Sequence, residues 1–282
     1  MRGEARRLLR DGRALAGAGM LTLAVLAAVL APLLAGDPIA QGDIVATRFL
    51  PPLTTDPHGS FHLLGTDRFG RDVWARLVYG ARISLGVGAL ATGISVVVGM
   101  AVGAAAGYWR GWLGAALLGL TDFALALPRV VLLLLLASLW QPSAGLVIVV
   151  LGLTGWMTIA RLVHAEVRAL AGRPFVESAA GLGARDLRIL LRHILPNALT
   201  PVIVAAALGL GNAILLEAGL SFLGLGVQPP TPSWGNLIAS GRDTLINAPW
   251  VATAPGVALV LVVVAATLLG DAVRDRLDPG RV

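Results

Sequence analysis

Six apolar runs, separated by polar stretches of very unequal length, frame this chain. They cover residues 14–35, 83–107, 122–140, 144–163, 196–219 and 251–270. Each holds about twenty residues or more, enough for a helix to cross a hydrocarbon core about 30 Å thick. The pattern predicts an all-α integral membrane protein with six transmembrane helices. Gly99, Gly103 and Gly107 recur every fourth residue in the second run. They read either as a close helix or subunit contact or as the ordinary tolerance of spans for glycine. Pro128 weakens a turn inside the third run, and Pro201 is expected to kink the start of the fifth. Gln141-Pro142 reads as a tight turn, and residues 109–121 as a short connection. Two stretches are long: 36–78, rich in Pro and Gly, and 220–250, which Pro229, Pro230 and Pro232 make stiff rather than helical.

Charge orients the pattern. Hydrophobic residues make up 56% of the chain and charged residues 13%, with mean hydropathy +0.80; a soluble domain carries about 25% charged residues. Every basic residue is Arg, and the net charge is +6. In a soluble protein that balance would point to nucleic acid. Here the Arg residues gather at the ends of the runs, which topology explains without any nucleic-acid partner. Arg2, Arg6, Arg7, Arg10 and Arg13 precede the first run. That run is too long for a signal-peptide core, and Leu33 spoils a small-x-small cleavage site before Gly36, so it reads as a retained helix. Even-numbered crossings then leave both termini cytoplasmic. Arg76 and Arg82 fall outside on this topology, against the charge rule, with Asp67 and Asp72 available to offset them.

The fullest polar interruption in the second half is Pro174 to Asn197, PFVESAAGLGARDLRILLRHILPN. Its Arg cluster marks it as cytoplasmic. It reads as two short helices with a left-handed break at Gly183. In the second, Leu187, Leu190, Leu191 and Ile194 form one apolar stripe, with Arg185, Arg188 and Arg192 opposite. Pro196 suits the first turn of the next span.

The spacing Glu177-Ser178-Ala179, Gly183, His193-Ile194-Leu195-Pro196 resembles the EAA loop of binding-protein-dependent ABC importer permeases. Ser178 replaces the usual first Ala, and Ala180 stands where relatives often carry Arg. His193 in His-x-Leu-Pro resembles the peptide and nickel branch. Residues 63–85, with Gly-Thr-Asp-x-x-Gly-Arg-Asp and Tyr-Gly-Ala-Arg-x-Ser-Leu, resemble its C-type subunit, as do 111–128, 220–235 and 268–279. Gly114 stands where relatives often carry Asp. The resemblance implies a type I ABC importer permease: 1–81 as tail, first helix and external segment, 82–271 as the transmembrane core, and 272–282 as a cytoplasmic tail. It implies that Glu177, Ser178, Ala179, Gly183, Leu187, Leu190, His193 and Pro196 couple the chain to an ATPase. The implied partners are a second homologous permease in a heterodimer, two ATPase subunits, an extracytoplasmic solute-binding protein and the lipid bilayer. The implied place is the bacterial or archaeal cell (inner) membrane. The implied cargo is a di- or oligopeptide or a nickel-type ligand, which this sequence does not distinguish.

Chemistry within the chain is sparse. No G-x-x-x-x-G-K-[ST] occurs, and at Gly65–Gly70 Arg71-Asp72 replace the Lys-Ser/Thr that a phosphate cradle needs. The chain is thus not an enzyme and has no cofactor of its own; ATP and Mg would bind the partner ATPase subunits. Without Cys there is no thiolate metal site. His58 and His62 could share a metal if helical, but Pro57 and Gly59 oppose that helix, and they read as solvated. Asp122 and Arg129 stand two turns apart in the third run, read as paired with each other or with a neighbouring helix ahead of any contact with solute. Glu217 falls near the outer interface, either at a mouth or as an anchor. A stand-alone secondary transporter or channel is the alternative; it would need several membrane carboxylates or broken helices of its own.

Overall fold

Capping residues, more than hydropathy, set where the helices begin. Asp72 accepts a hydrogen bond from the Ala75 amide (2.7 Å) and Ser143 from Leu146 (3.1 Å). Ser233 and Asn236 form a reciprocal capping box. Each such cap satisfies an amide left open by the first helical turn and is worth about 0.5–2 kcal/mol. The structure, a computed structural model, describes residues 11–277. The charges expected at Arg2, Arg6, Arg7 and Arg10 and the end of the tail lie outside them.

In chain order the elements are α1 (Gly12–Val29), α2 (Ala31–Leu34), α3 (Ile44–Thr47), the strand pair β1 (Thr54–Thr55) and β2 (Phe61–His62), α4 (Val73–Tyr108), α5 (Trp112–Ala126), α6 (Arg129–Ser138), α7 (Ala144–Ala171), α8 (Pro174–Gly181) and α9 (Asp186–Ile189). A π-helical turn, Leu190–Ile194, leads into α10 (Leu195–Phe222), followed by α11 (Trp234–Arg242) and α12 (Trp250–Leu277). β1 and β2 pair antiparallel, with Thr54 opposite His62.

Close contacts fix how the long helices run. A methyl group on Gly99 would stand 2.7 Å from the Trp156 carbonyl, and one on Gly107 2.8 Å from that of His164, while Gly103 lies against Ala160. The contacts advance together along both helices, so α4 and α7 are parallel neighbours in backbone contact. This is the close-contact reading of the glycine repeat. By contrast, Ser84 meets Glu217, Gly88 meets Ile214 and Thr92 meets Gly209, so α10 runs antiparallel to α4. Gly211 against Ala266 and Gly270 against Leu208 make α12 antiparallel to α10. Gly17 packs on Ala265 and Leu269, and Arg13 pairs with Asp275 at 2.9 Å, making α1 antiparallel to α12. Both ends of the described chain therefore lie on one face, with the loop 172–194.

Parallel α4 and α7 require the chain to cross back between them. It does so through α5 and α6, which meet at an 86° bend. Together with the five long apolar helices this makes six crossings. The third run therefore differs from the single helix expected over 122–140: its first half starts at Trp112, and it breaks at Leu127-Pro128. Leu127 precedes proline and is extended (ψ 133°), as the steric clash with the proline ring demands.

Other helices outrun their apolar cores. The 36 residues of α4 reach about 54 Å, well beyond a ~30 Å core, so the helix starts ten residues before the expected Ile83. α7 continues to Ala171 rather than 163, and α12 to Leu277 rather than 270, so the segment expected as a tail from 272 begins as helix. α10 is continuous through Pro201. The stretch 220–250, expected to be non-helical, carries α11.

The face opposite the loop is capped by residues 37–72. Trp250 Nε1 donates to the Thr66 carbonyl (3.1 Å) and Trp74 Nε1 to that of Leu34 (3.1 Å). Asp67 is buried and accepts from Arg71 Nε (2.8 Å) and Arg76 (3.3 Å), so it offsets both cations. Among the described residues Arg82 pairs with no carboxylate; it lies over the Tyr79 ring, 5.9 Å from its centre. His62 is not solvated: it is buried, with Nδ1 2.7 Å from Asp72 and Nε2 3.6 Å from Asp56. His58 is exposed.

Candidate functional site: the loop between α7 and α10

α8 begins with Pro174, whose missing amide costs nothing in a first turn, and carries Glu177 in that turn, exposed. A carboxylate there faces the positive end of the helix dipole. Ser178 Oγ donates to the Pro174 carbonyl (2.8 Å). The helix closes on Gly183, at φ +79°. The Ala184 amide donates to Ala179 (3.2 Å) and the Gly183 amide to Ala180 (2.9 Å). That is a Schellman closure, which needs the left-handed residue glycine supplies without strain.

The second helix is shorter than expected and not separate. α9 runs through the π turn directly into α10, so it is an extension of a span rather than an isolated surface helix. The expected stripe divides for that reason. Leu190 (3% exposed) and Ile194 (0%) are core, packed with Val176 and Ile189 against Val163 and Val167 of α7. Leu187 (57%) and Leu191 (55%) remain outside. Tyr108, at the end of α4, donates its hydroxyl to Asp186 (3.0 Å), tying a third helix to the loop. Ala179 is partly buried against the same cluster; His193 is half-buried, its carbonyl accepting from Asn197 (2.6 Å); Pro196 is exposed in the first turn of α10.

The result is a loop with a buried apolar base and further apolar residues left exposed. Phe175 and Leu182 join Leu187 and Leu191 as exposed large apolar residues, and Arg173, Arg185, Arg188 and Arg192 are exposed in the same loop. Several large apolar residues exposed in one short loop are what a surface for another protein would present.

The polar groups of the spans are placed otherwise than the spacing indicates. The bend separates Asp122 from Arg129. Asp122 lies 3.6 Å from Arg161 of α7, both exposed, and does not pair with Arg129. Arg129 opens α6 beside Ser95 and Gly155. Glu217 is neither at a mouth nor an anchor: it is fully buried, accepting from Ser84 (2.8 Å) and Ser221 (2.7 Å). Ser84 also accepts from the Trp234 amide (3.2 Å), so Glu217 locks α4, α10 and the start of α11 together.

Comparison with known proteins settles the family. Residues 97–282 match the family described as binding-protein-dependent transport system inner membrane component, and residues 3–52 match the N-terminal TM domain of oligopeptide transport permease C. The chain belongs to this family. It is an ABC importer permease and a multi-pass protein of the inner membrane. It is 41% identical over 276 residues to a protein of Brucella abortus biovar 1 (strain 9-941) named for peptide transport as a system permease, covering 98% of this chain and 90% of that one. It is 36% identical to the dipeptide transport system permease protein DppC of Alkalihalophilus pseudofirmus, covering 97% and 88%. The fold resembles a chain of the inward-facing MetNI methionine ABC transporter, with TM-score 0.58 and 22% identity over 71% of this chain and 96% of that one.

The permease's loop holds two residues that sequence reasoning passed over. Phe175 and Leu182 lie in the first helix and its closure, where no stripe at helical spacing marks them. Tyr108 is distant by 78 residues from its partner Asp186, and no local signal announces the contact.

Proposed function

We propose that this chain is the C-type permease subunit of an importer for di- or oligopeptides. A second homologous permease completes the translocation path, two ATPase subunits that bind ATP and Mg drive it, and an external binding protein delivers the peptide. The loop 174–194 sits on the cytoplasmic face, with both termini. The observation that carries the proposal is the loop itself: exposed Phe175, Leu182, Leu187 and Leu191 on a base fixed by Val176, Ile189, Leu190 and Ile194. Apolar residues exposed over a packed base of that kind suit a loop that passes a partner's push on to α7 and α10. The peptide class is supported by the relatives' names, and membership of a binding-protein-dependent family displaces the stand-alone carrier.

The test is reconstitution of all the subunits in proteoliposomes. ATP inside and loaded binding protein outside should together produce accumulation of labelled peptide, and neither alone should. Uptake of a nickel chelate in place of peptide would move the protein to the other arm of its branch. Uptake without ATPase subunits would sink the importer reading.

A further inference from the structure

The permease holds a cavity of about 420 Å³ halfway along its helices, walled by α4, α6, α7 and α10. Ala91, Leu151, Ala205 and Leu208 make most of the wall apolar. Into it face Arg129, Thr92, Ser95, Thr158 and Asn212. Arg129 is the first residue after the bend of the third span, so the bend itself delivers the guanidinium to mid-depth.

Two of these groups are out of balance. Arg129 Nε and Thr92 Oγ1 are shielded from solvent, and neither has a hydrogen-bond partner among the described residues. Asp122, the nearest carboxylate in sequence, is engaged with Arg161. A guanidinium keeps its charge at any physiological pH and carries five donors. Left without an acceptor in a span it is costly, and such residues mark solute paths. Thr158 and Asn212 are exposed beside it, so the mouth of the cavity is polar, which suits a path better than a lipid-facing surface. The start of α6 adds a positive helix end to the same side.

We propose that this cavity is a transient site for the free carboxylate of the passing peptide, with Arg129 as its charge partner and Thr92 as a second donor. The inference rests on the peptide-importer reading. A planar guanidinium matches a carboxylate with two parallel N–H donors, and the small apolar wall accepts varied side chains. An amino terminus would be repelled, so peptides would enter this stage carboxylate first.

The experiment uses the assembled importer in detergent, with the binding protein omitted. Equilibrium dialysis measures binding of radiolabelled dialanine, with unlabelled dialanine or dialanine amide as competitor. Dialanine should displace the label, and the amide should not at tenfold higher concentration. Arg129→Gln should weaken binding about ten- to hundredfold, the effect of losing a charged hydrogen bond. Arg129→Lys should stay within about threefold of wild type, and the isosteric Thr92→Val should weaken binding by a smaller factor than Arg129→Gln. Absence of saturable binding, equal binding by wild type and Arg129→Gln, or equal competition by acid and amide overturns the proposal. If Arg129→Gln instead loses the sister permease on purification, while the complexes that remain bind normally, Arg129 is a subunit contact and the proposal also falls. Uptake of dialanine by wild-type proteoliposomes supplied with binding protein separates the two readings. Failure there sinks the peptide importer itself; normal uptake without acid–amide discrimination sinks only the carboxylate site.

Discussion

Single polar residues in this permease are explained by what the bends and ends of helices bring to them. Asp122 and Arg129 are seven residues apart, a spacing that puts two groups on one side of an unbroken helix. The break at Leu127-Pro128 removes that condition, and the pairing goes with it. The Asp122–Arg161 contact is exposed, and such pairs contribute about 0–1 kcal/mol. Asp122→Ala and Arg129→Ala should therefore be additive to within about 0.5 kcal/mol in thermal unfolding of the purified chain. A double variant more stable than the sum would restore the direct pair. Asp67 is the opposite case. It is buried between Arg71 and Arg76, so Asp67→Asn strands two buried cations at once. Breaking a buried pair costs about 3–5 kcal/mol, and Asp67→Asn should sharply cut the yield of folded protein, while Asp37→Asn on the exposed surface of the same cap should not. Hydropathy shows neither outcome, because it scores residues and not the partners the fold assigns to them.

At the scale of elements, apolar length marked the crossings and capping marked the helices. The two disagree wherever a helix leaves the membrane. α4 begins at the Asp72 cap, in the polar sequence before the second apolar run, and α7 continues past its run as far as Ala171. The loop between α7 and α10 was legible as two helices with a left-handed hinge, because Gly183 and the flanking periodicity are local. The division of its stripe was not, since Leu190 and Ile194 are covered by Val163 and Val167 from another helix. That division makes a prediction. Leu187→Asp and Leu182→Asp place a charge on solvent-exposed positions and should leave the yield of this chain unchanged, while recovery of ATPase subunits in pull-down falls severalfold. Ile194→Asp buries the charge and should abolish folding instead. Gly183→Ala adds a left-handed penalty of about 1–2 kcal/mol and meets no neighbouring atom, so it should weaken coupling without preventing insertion. Gly183→Pro forbids the closure and should uncouple transport from ATP hydrolysis. Full recovery of ATPase with both Leu187→Asp and Leu182→Asp would remove this surface from the interface.

For the molecule as a whole, the packing directions carry the topology further than charge does. Arg76 and Arg82 argued against placing the first connection outside, yet Arg76 is paired with Asp67 within the cap, which leaves only Arg82, lying over Tyr79, as an exposed charge against the rule. The parallel run of α4 and α7 demands an intervening crossing, and the bent pair provides it despite halves of only 15 and 10 residues. The Arg13–Asp275 pair then closes the bundle with both described ends beside the loop. The Arg cluster of that loop predicts that this face is the cytoplasmic one. Because the chain lacks Cys, single thiols report it cleanly. Ser60 and Ser178 are both exposed, on opposite faces. Ser60→Cys should react with an impermeant maleimide added to intact spheroplasts, and Ser178→Cys only after the membrane is opened. Protection of Ser178→Cys in opened membranes when ATPase subunits are co-expressed, and its release when they are absent, would place that partner on the same face. Labelling of Ser178→Cys in intact spheroplasts would invert the bundle, and with the loop outside no cytoplasmic ATPase could reach it.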